Sequence, residues 1–388
     1  MTTDKTAPVV VAGAGAWGLS TALHLVNDGY TNVTVLDRAS ELPSRYSGAY
    51  DLNKIVRAEY EDPFYTDLAL EAIREWRTPL FGPYYHHTGY VVATSDKAPA
   101  KAVQHLEKAL SSVRDHASFK PFISSLDTPL KFKDVFWQFS GPSRFKGYVN
   151  RHAGYAHSSN AMKGIYRHLT TRGVRFVLGE AGRVSELVYS RNPRRCVGAR
   201  TADGTTHQAA LIIVCLGAYA AEIIPQVGTF AVAKCWSVAH VQLTEEECDF
   251  LRGIPVLNIR DLGFFFEPDP ATRLFKICPL GAGYVNTSET SGISLPPLDV
   301  LPPPQDHIPL EDERKLRRLL RETFPWMAGR PFVDQKMCWF SDTSDSEYCV
   351  DFVPDTDQSV IVLAGDSGHG FSMSPFRKPE PVNNWELV

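Results

Sequence analysis

Gly13-x-Gly15-x-x-Gly18 is the first run in this chain whose residue types and spacing could do chemistry. It follows the apolar run Val9 to Ala12 directly and opens a stretch with Leu19, Leu23, Leu25 and Val26 at helical spacing. In such a setting Gly13 permits a tight turn, Gly15 lets the backbone approach a pyrophosphate, and Gly18 lets helix and strand pack closely. Unpaired N–H groups and the helix dipole then favour the phosphate charge. Val33 to Leu36 reads as a second strand that ends in Asp37, where a carboxylate can take both hydroxyls of a ribose. Strand, helix, strand and acid together predict dinucleotide binding. The acid argues against NADP, but the motif alone does not separate FAD from NAD.

Three further positions carry chemical potential. Alternation along Leu274 to Cys278 puts Leu274, Lys276 and Cys278 on one strand face, with Phe275 and Ile277 on the other. A lysine among such neighbours is either a charge that protects a sheet edge or a functional cation in a pocket. Cys338, between Met337 and Trp339, reads by itself as a small buried hydrophobe. The turn Gly365 to Gly370 follows the apolar run Val360 to Ala364, which leaves its amides available to a ligand. His369 within it could act as a base, although a structural histidine with satisfied hydrogen bonds is the better reading.

Together these segments resemble the fructosyl amino acid oxidases (amadoriases) and their relatives the monomeric sarcosine oxidases, within the D-amino acid oxidase superfamily. The matching runs are Gly13 to Asp37, Ser47 to Arg57, Lys336 to Asp345 and Gly365 to Phe371, in the family's order. The resemblance implies FAD as cofactor. Its binding residues would be Gly13, Gly15, Ala16, Trp17, Gly18, Asp37, Arg38, Ser47, Lys54, Val184, Cys338, Asp366, Gly368 and Gly370. Lys54 would lie near the flavin ring, where a cation stabilises the anionic reduced form. Cys338 would attach FAD covalently through a thioether, and Lys276 would face the flavin and activate oxygen. The implied activity is oxidation of a secondary amine (an Amadori compound, an N-alkyl or a cyclic amino acid), with O2 reoxidising the flavin to give hydrogen peroxide. A biosynthetic oxidase acting on an amino-acid-derived amine, or a flavin-binding protein with impaired turnover, are the competing readings. The latter arises because Phe371 is followed by Ser372 to Pro375 and a tail with Pro379 and Pro381, where the relatives have a basic helical segment. The two basic side chains that hold the substrate carboxylate in the relatives therefore have no counterpart that the sequence places.

The elements that must position these residues imply an α/β protein. A Rossmann-like βαβ FAD-binding domain would be discontinuous (residues 1–90, 150–222 and 315–388). A second, mainly antiparallel β-sheet substrate domain would use 91–149 and 223–314. Helices are predicted from Phe64 to Trp76 and from Glu311 to Phe324, a buried parallel strand near Leu211 to Ala218, and a hairpin across Pro268 to Pro270. The proline-rich stretch Leu295 to Pro309 reads as a surface crossing between domains.

Composition narrows the partners. A formal net charge of −4 gives no reason to expect nucleic acid or an anionic membrane, and no apolar run has the length of a membrane span. Seven cysteines at irregular spacing argue for a reducing compartment over a disulfide framework, and none has the spacing of a zinc site. A cytoplasmic monomer with a small-molecule amine and O2 as partners, and no metal, is the expectation.

Overall fold

The structure is a computed structural model and describes residues 4–60, 62–191, 195–297 and 307–373. The tail with Pro375, Pro379 and Pro381, and most of the proline-rich stretch, lie outside the described residues.

Val9–Ala12, Val33–Asp37 and Leu211–Val214 are apolar on both faces, as a parallel strand covered on both sides must be. They pair in parallel within a six-stranded sheet. Arg175–Leu178 extends one side of it, and Val360–Ala364 joins Leu211–Val214 in parallel on the other. Cys349–Phe352 completes it antiparallel at the far edge. The helix Ala16–Asn27 crosses from the first strand to the second, so the βαβ unit reads as expected.

The second layer is a nine-stranded, largely antiparallel sheet. Its long strand Ala231–Gln242 pairs with Leu274–Pro279 on one side and Val333–Thr343 on the other. Leu274–Pro279 and Gly263–Phe265 form the expected antiparallel hairpin. Tyr90–Thr94, Ile123–Leu126 and Lys146–Asn150 continue the sheet through Val256–Ile259. A small sheet of Lys54–Val56, Gly154–Ala156 and Tyr85–His86 lies beside these two.

At its last segment the expected division of the chain departs from the structure. Residues 315–388 do not all go with the nucleotide-binding layer. The amphipathic helix Leu310–Thr323 buries Leu316, Leu319 and Leu320 in the same core as Phe265, Phe275 and Ile277 of the large sheet. Val333–Thr343 is hydrogen-bonded into that sheet as well. The 3.6-residue periodicity shows that a helix has an apolar stripe but not which core receives it.

Candidate active site

The turn after Val9–Ala12 shows why its glycines are needed. Gly13 sits at φ 104°, and a Cβ there would lie 2.4 Å from the Cys215 carbonyl oxygen. A Cβ on Gly18 would come within 1.8 Å of the Gly13 carbonyl oxygen, so any side chain would push helix and strand apart. The helix that starts here has no side-chain cap and no acid in its first turn, which leaves its N-terminal N–H groups to attract an anion.

Asp37 holds this turn in shape. Its buried carboxylate accepts hydrogen bonds from the Ala14 N–H (2.8 Å), the Ala39 N–H (2.8 Å) and the Ser44 hydroxyl (2.8 Å). Burial pushes its pKa up, against those three donors. A carboxylate has about four lone-pair sites, so these bonds leave room for one ribose hydroxyl where two were expected. Arg38, the next residue, lies between the rings of Tyr46 and Tyr219, 4.4 and 5.1 Å from their centroids, and its Nε has no hydrogen-bond partner.

A cavity of about 350 Å³ runs from this turn to the large sheet. Gly13, Gly15, Ala16, Trp17, Asp37 and Arg38 line one part of it, with Ser47 and Val184. Lys54, Lys276, Cys338, Asp366, Gly368 and Gly370 line the remainder. Gly18 alone of the expected site residues is not on its wall; it packs beneath, against Gly13. Trp17 ties the helix to the last turn, since its indole N–H donates to the Gly370 carbonyl (3.2 Å).

The charge at the large-sheet end comes from chain-distant segments. Asp51 is fully buried and faces three lysines: Lys276 Nζ at 2.6 Å, Lys54 Nζ at 2.9 Å and Lys336 Nζ at 3.5 Å. Lys276 also donates to the Asn53 carbonyl at 2.7 Å and is 1% exposed. Leu274–Pro279 is an interior strand, paired on both sides, so the sheet-edge reading of Lys276 does not hold. Burial favours the neutral form of Asp51, but the Coulombic pull of Lys276, Lys54 and Lys336 outweighs it and holds the carboxyl well below its usual range. Burial draws Lys276 below the ordinary lysine value, with Asp51 opposing. Burial acts on Lys54 too, yet there Asp51 and Cys338 prevail and keep the ammonium above its ordinary range. Lys54 Nζ is 3.7 Å from the Cys338 sulfur, which faces the Gly48 carbonyl at the same distance.

The turn after Val360–Ala364 differs from expectation. Five of its six amides are committed inside the protein: Gly365 and Ser367 donate to the Ser341 hydroxyl and carbonyl, Gly368 to the Asp366 carboxylate, and His369 and Gly370 to the Asp366 carbonyl. The turn closes around Asp366, whose pKa burial pushes up to about 6. His369 is a structural histidine. Its ring nitrogens meet the Tyr348 hydroxyl and, at 3.0 Å, the Ser346 carbonyl, and burial pushes its pKa down to about 4.

Three arginines unplaced by the sequence reading also line the cavity: Arg57, Arg260 and Arg183, the last paired with Glu180. Arg57 lies inside the Ser47 to Arg57 run, so its place was within reach; Asp51, three residues before Lys54, was the missed signal beside it. Nothing local marks Arg260.

An uncapped helix N-terminus beside glycines that a Cβ would block, an arginine with an unpaired Nε, and a thiol within reach of a lysine fit FAD as the occupant. The profile described as FAD dependent oxidoreductase matches residues 8–376. The chain belongs to the FAD-dependent oxidoreductase family. Within it, the chain is 33% identical to L-saccharopine oxidase of Schizosaccharomyces pombe, over 95% of this chain and 87% of the relative. It is 23% identical to monomeric sarcosine oxidase of a Bacillus species, over 94% of this chain and 88% of that protein. The crystal structure of fructosamine oxidase (Amadoriase II) from Aspergillus fumigatus superposes with a TM-score of 0.87 at 34% identity, covering 96% of this chain and 85% of that one. As a member of this family the protein is a FAD-dependent oxidoreductase with a mixed α/β fold, whose relatives include amine oxidases. Among the described residues no helix is long and apolar enough to cross a membrane, and no group of acidic, histidine or cysteine side chains could hold a metal ion.

Proposed function

We propose that this protein oxidises the C–N bond of a secondary amine that bears a carboxylate, with O2 as the final electron acceptor and hydrogen peroxide as product. The observation that carries this reading is the continuity of the cavity, which joins the Gly13 turn to Lys54, Lys276, Cys338 and Arg57.

Bound FAD supplies the hydride acceptor and passes the electrons on to oxygen. The protein's own side chains do the rest. Gly13, Gly15 and the helix start at Ala16 receive the pyrophosphate, Asp37 a ribose hydroxyl, and Cys338 the covalent link to the ring. Arg57 holds the substrate carboxylate, since a guanidinium matches a carboxylate in two parallel hydrogen bonds. The cations Lys54, Lys276 and Lys336 outnumber the one carboxylate, Asp51, that they share. That surplus disfavours an ammonium beside them, so the substrate amine binds in the neutral form it needs in order to give up hydride. Its proton is left in solvent. Lys276 then presents a fixed ammonium to oxygen as the first electron arrives, stabilising the charge that develops there.

Anaerobic mixing of the purified flavoprotein with a panel of secondary amines tests this directly. Bleaching of the oxidised flavin absorbance by at least one amine, and peroxide formation when air is admitted, are expected. A panel of N-alkyl amino acids, Amadori compounds and amino-acid-derived amines that leaves the absorbance unchanged would refute it.

A further inference from the structure

Arg57 and Arg260 both line the cavity, but their surroundings differ. Arg57 is partly provided for within the protein, through one of its guanidinium nitrogens. Its guanidinium donates to the Glu59 carbonyl, lies over the Tyr60 ring at 4.4 Å, and sits in the field of the buried Glu59 carboxylate. That carboxylate is itself fixed by the Asn150 side chain (2.8 Å) and the Ala58 N–H (3.0 Å). Arg260 directly follows the strand Val256–Ile259, and its backbone N–H is anchored to the Ala93 carbonyl at 2.8 Å. Among the described residues its guanidinium has no ion pair and no hydrogen bond.

A second group beside it is also incomplete. Asn258 lies two residues earlier on the cavity wall and is 5% exposed. Its amide nitrogen is bonded to the Tyr90 hydroxyl (3.0 Å), while its buried side-chain oxygen has no partner. A tyrosine hydroxyl can donate as well as accept, so the amide turned by 180° keeps that bond and frees an N–H2 group instead. Tyr90 is a common neighbour of both cations: burial raises its pKa, and Arg57 and Arg260 each oppose that rise. One hydroxyl within the field of both guanidinia places the two arginines around a shared space.

We propose that Arg260 and Asn258 form a second anion subsite, and that the oxidised secondary amine carries an ionised carboxylate on each of its two arms. Arg57 holds one carboxylate and Arg260 the other. This rests on the secondary-amine reading above and narrows it to N-(carboxyalkyl) amino acids. A neutral arm, such as a sugar or an alkyl chain, would displace water from the Arg260 guanidinium and return no charge to it. Desolvating an unpaired cation in this way is unfavourable, so the site selects against such arms as well as for a carboxylate.

The test uses the flavin-loaded enzyme and thioethers, which resemble secondary amines but give up no hydride. (Methylthio)acetate carries one carboxylate; thiodiacetate and 3,3′-thiodipropionate carry two, at two arm lengths. Binding is read from the perturbation of flavin absorbance. At least one diacid should bind more tightly than the monoacid, and Arg260→Gln should reduce that preference by roughly 30-fold or more, the scale for losing one partner of a desolvated charge pair. Arg260→Lys, which keeps the charge and loses the two-pronged geometry, should retain part of it and serves if the glutamine variant does not load flavin. A parent enzyme that binds no diacid better than the monoacid, or a preference that survives in Arg260→Gln, overturns the second subsite and leaves the amine oxidase reading standing. If no thioether perturbs the flavin and no secondary amine bleaches it, the underlying reading fails too.

Discussion

Replacing Lys276 by methionine separates the two tasks its ammonium performs. By volume alone, Lys276→Met resembles the hydrophobic swaps that cost less than about 1.5 kcal/mol. The structure argues for more. The ammonium is 2.6 Å from the Asp51 carboxylate and 2.7 Å from the Asn53 carbonyl, and neither acceptor has bulk water to turn to. Removing one member of a buried pair costs about 3–5 kcal/mol when the other is left alone. Asp51 is not left alone, because Lys54 remains at 2.9 Å and Lys336 at 3.5 Å. A loss of roughly 1–3 kcal/mol of stability is therefore expected, below the isolated-pair range. For the chemistry, loss of one preorganised electrostatic group is worth ~10²–10³ in rate, and it should fall on the oxygen half-reaction. Stopped flow measures the halves separately: amine against oxidised enzyme without oxygen, then oxygen against reduced enzyme. Chemical denaturation of the same variant supplies the stability change. Reoxidation as fast as in the parent would refute the role in oxygen activation. Equal losses in both halves would mean that Lys276 only shapes the pocket.

Asp37→Ala should lower the melting temperature of the protein even without flavin, because the carboxylate pins Ala14, Ala39 and Ser44. It should lower flavin occupancy as well, and normal values for both would contradict the assignment. Acid-precipitated protein should stay yellow and Cys338→Ala should release its flavin on denaturation; complete release from the unmutated holoenzyme would rule out the thioether. His369 resists protonation in the fold, with its pKa down at about 4 from 6.5. Between those values the unfolded chain takes up the proton first, so stability should decline as pH falls through that window. His369→Gln should show a shallower decline there, and an unchanged slope would argue that other groups cause it.

The glycine turn, its flanking strands and the hairpin around Lys276 were legible because each is a local pattern. Gly13 and Gly18 are required by contacts within a few residues of chain or with the adjoining strand, and alternation alone sorted Lys276 from Phe275 and Ile277. Side chains that meet across the fold were not legible. Asp51, Lys276 and Lys336 come from three distant segments, and only the pairing of Ala231–Gln242 with both Leu274–Pro279 and Val333–Thr343 brings two of them together. Arg260 carried no local signal, since a single arginine after a short strand reads as a solvated charge. The turn at Gly365 misled for the opposite reason. Its glycines do permit close approach, but what approaches is protein: Thr343 and the Glu347 carbonyl at Gly365, the Trp236 ring at Gly368, and Asp366 and Trp17 at Gly370.

The six-stranded sheet has a consequence for how the chain is made. Its central strand, Val9–Ala12, leaves the ribosome early, yet one neighbour is Leu211–Val214 and the strand beyond that is Val360–Ala364. At ordinary synthesis speeds those segments emerge on the order of ten to seventy seconds apart. Until Cys215 emerges, the glycine turn lacks the carbonyl that packs against Gly13, and the strand has only Val33–Asp37 beside it. The nucleotide pocket is thus among the last features to close, because Asp366 to Ser372, which follow the strand Val360–Ala364, form part of its wall.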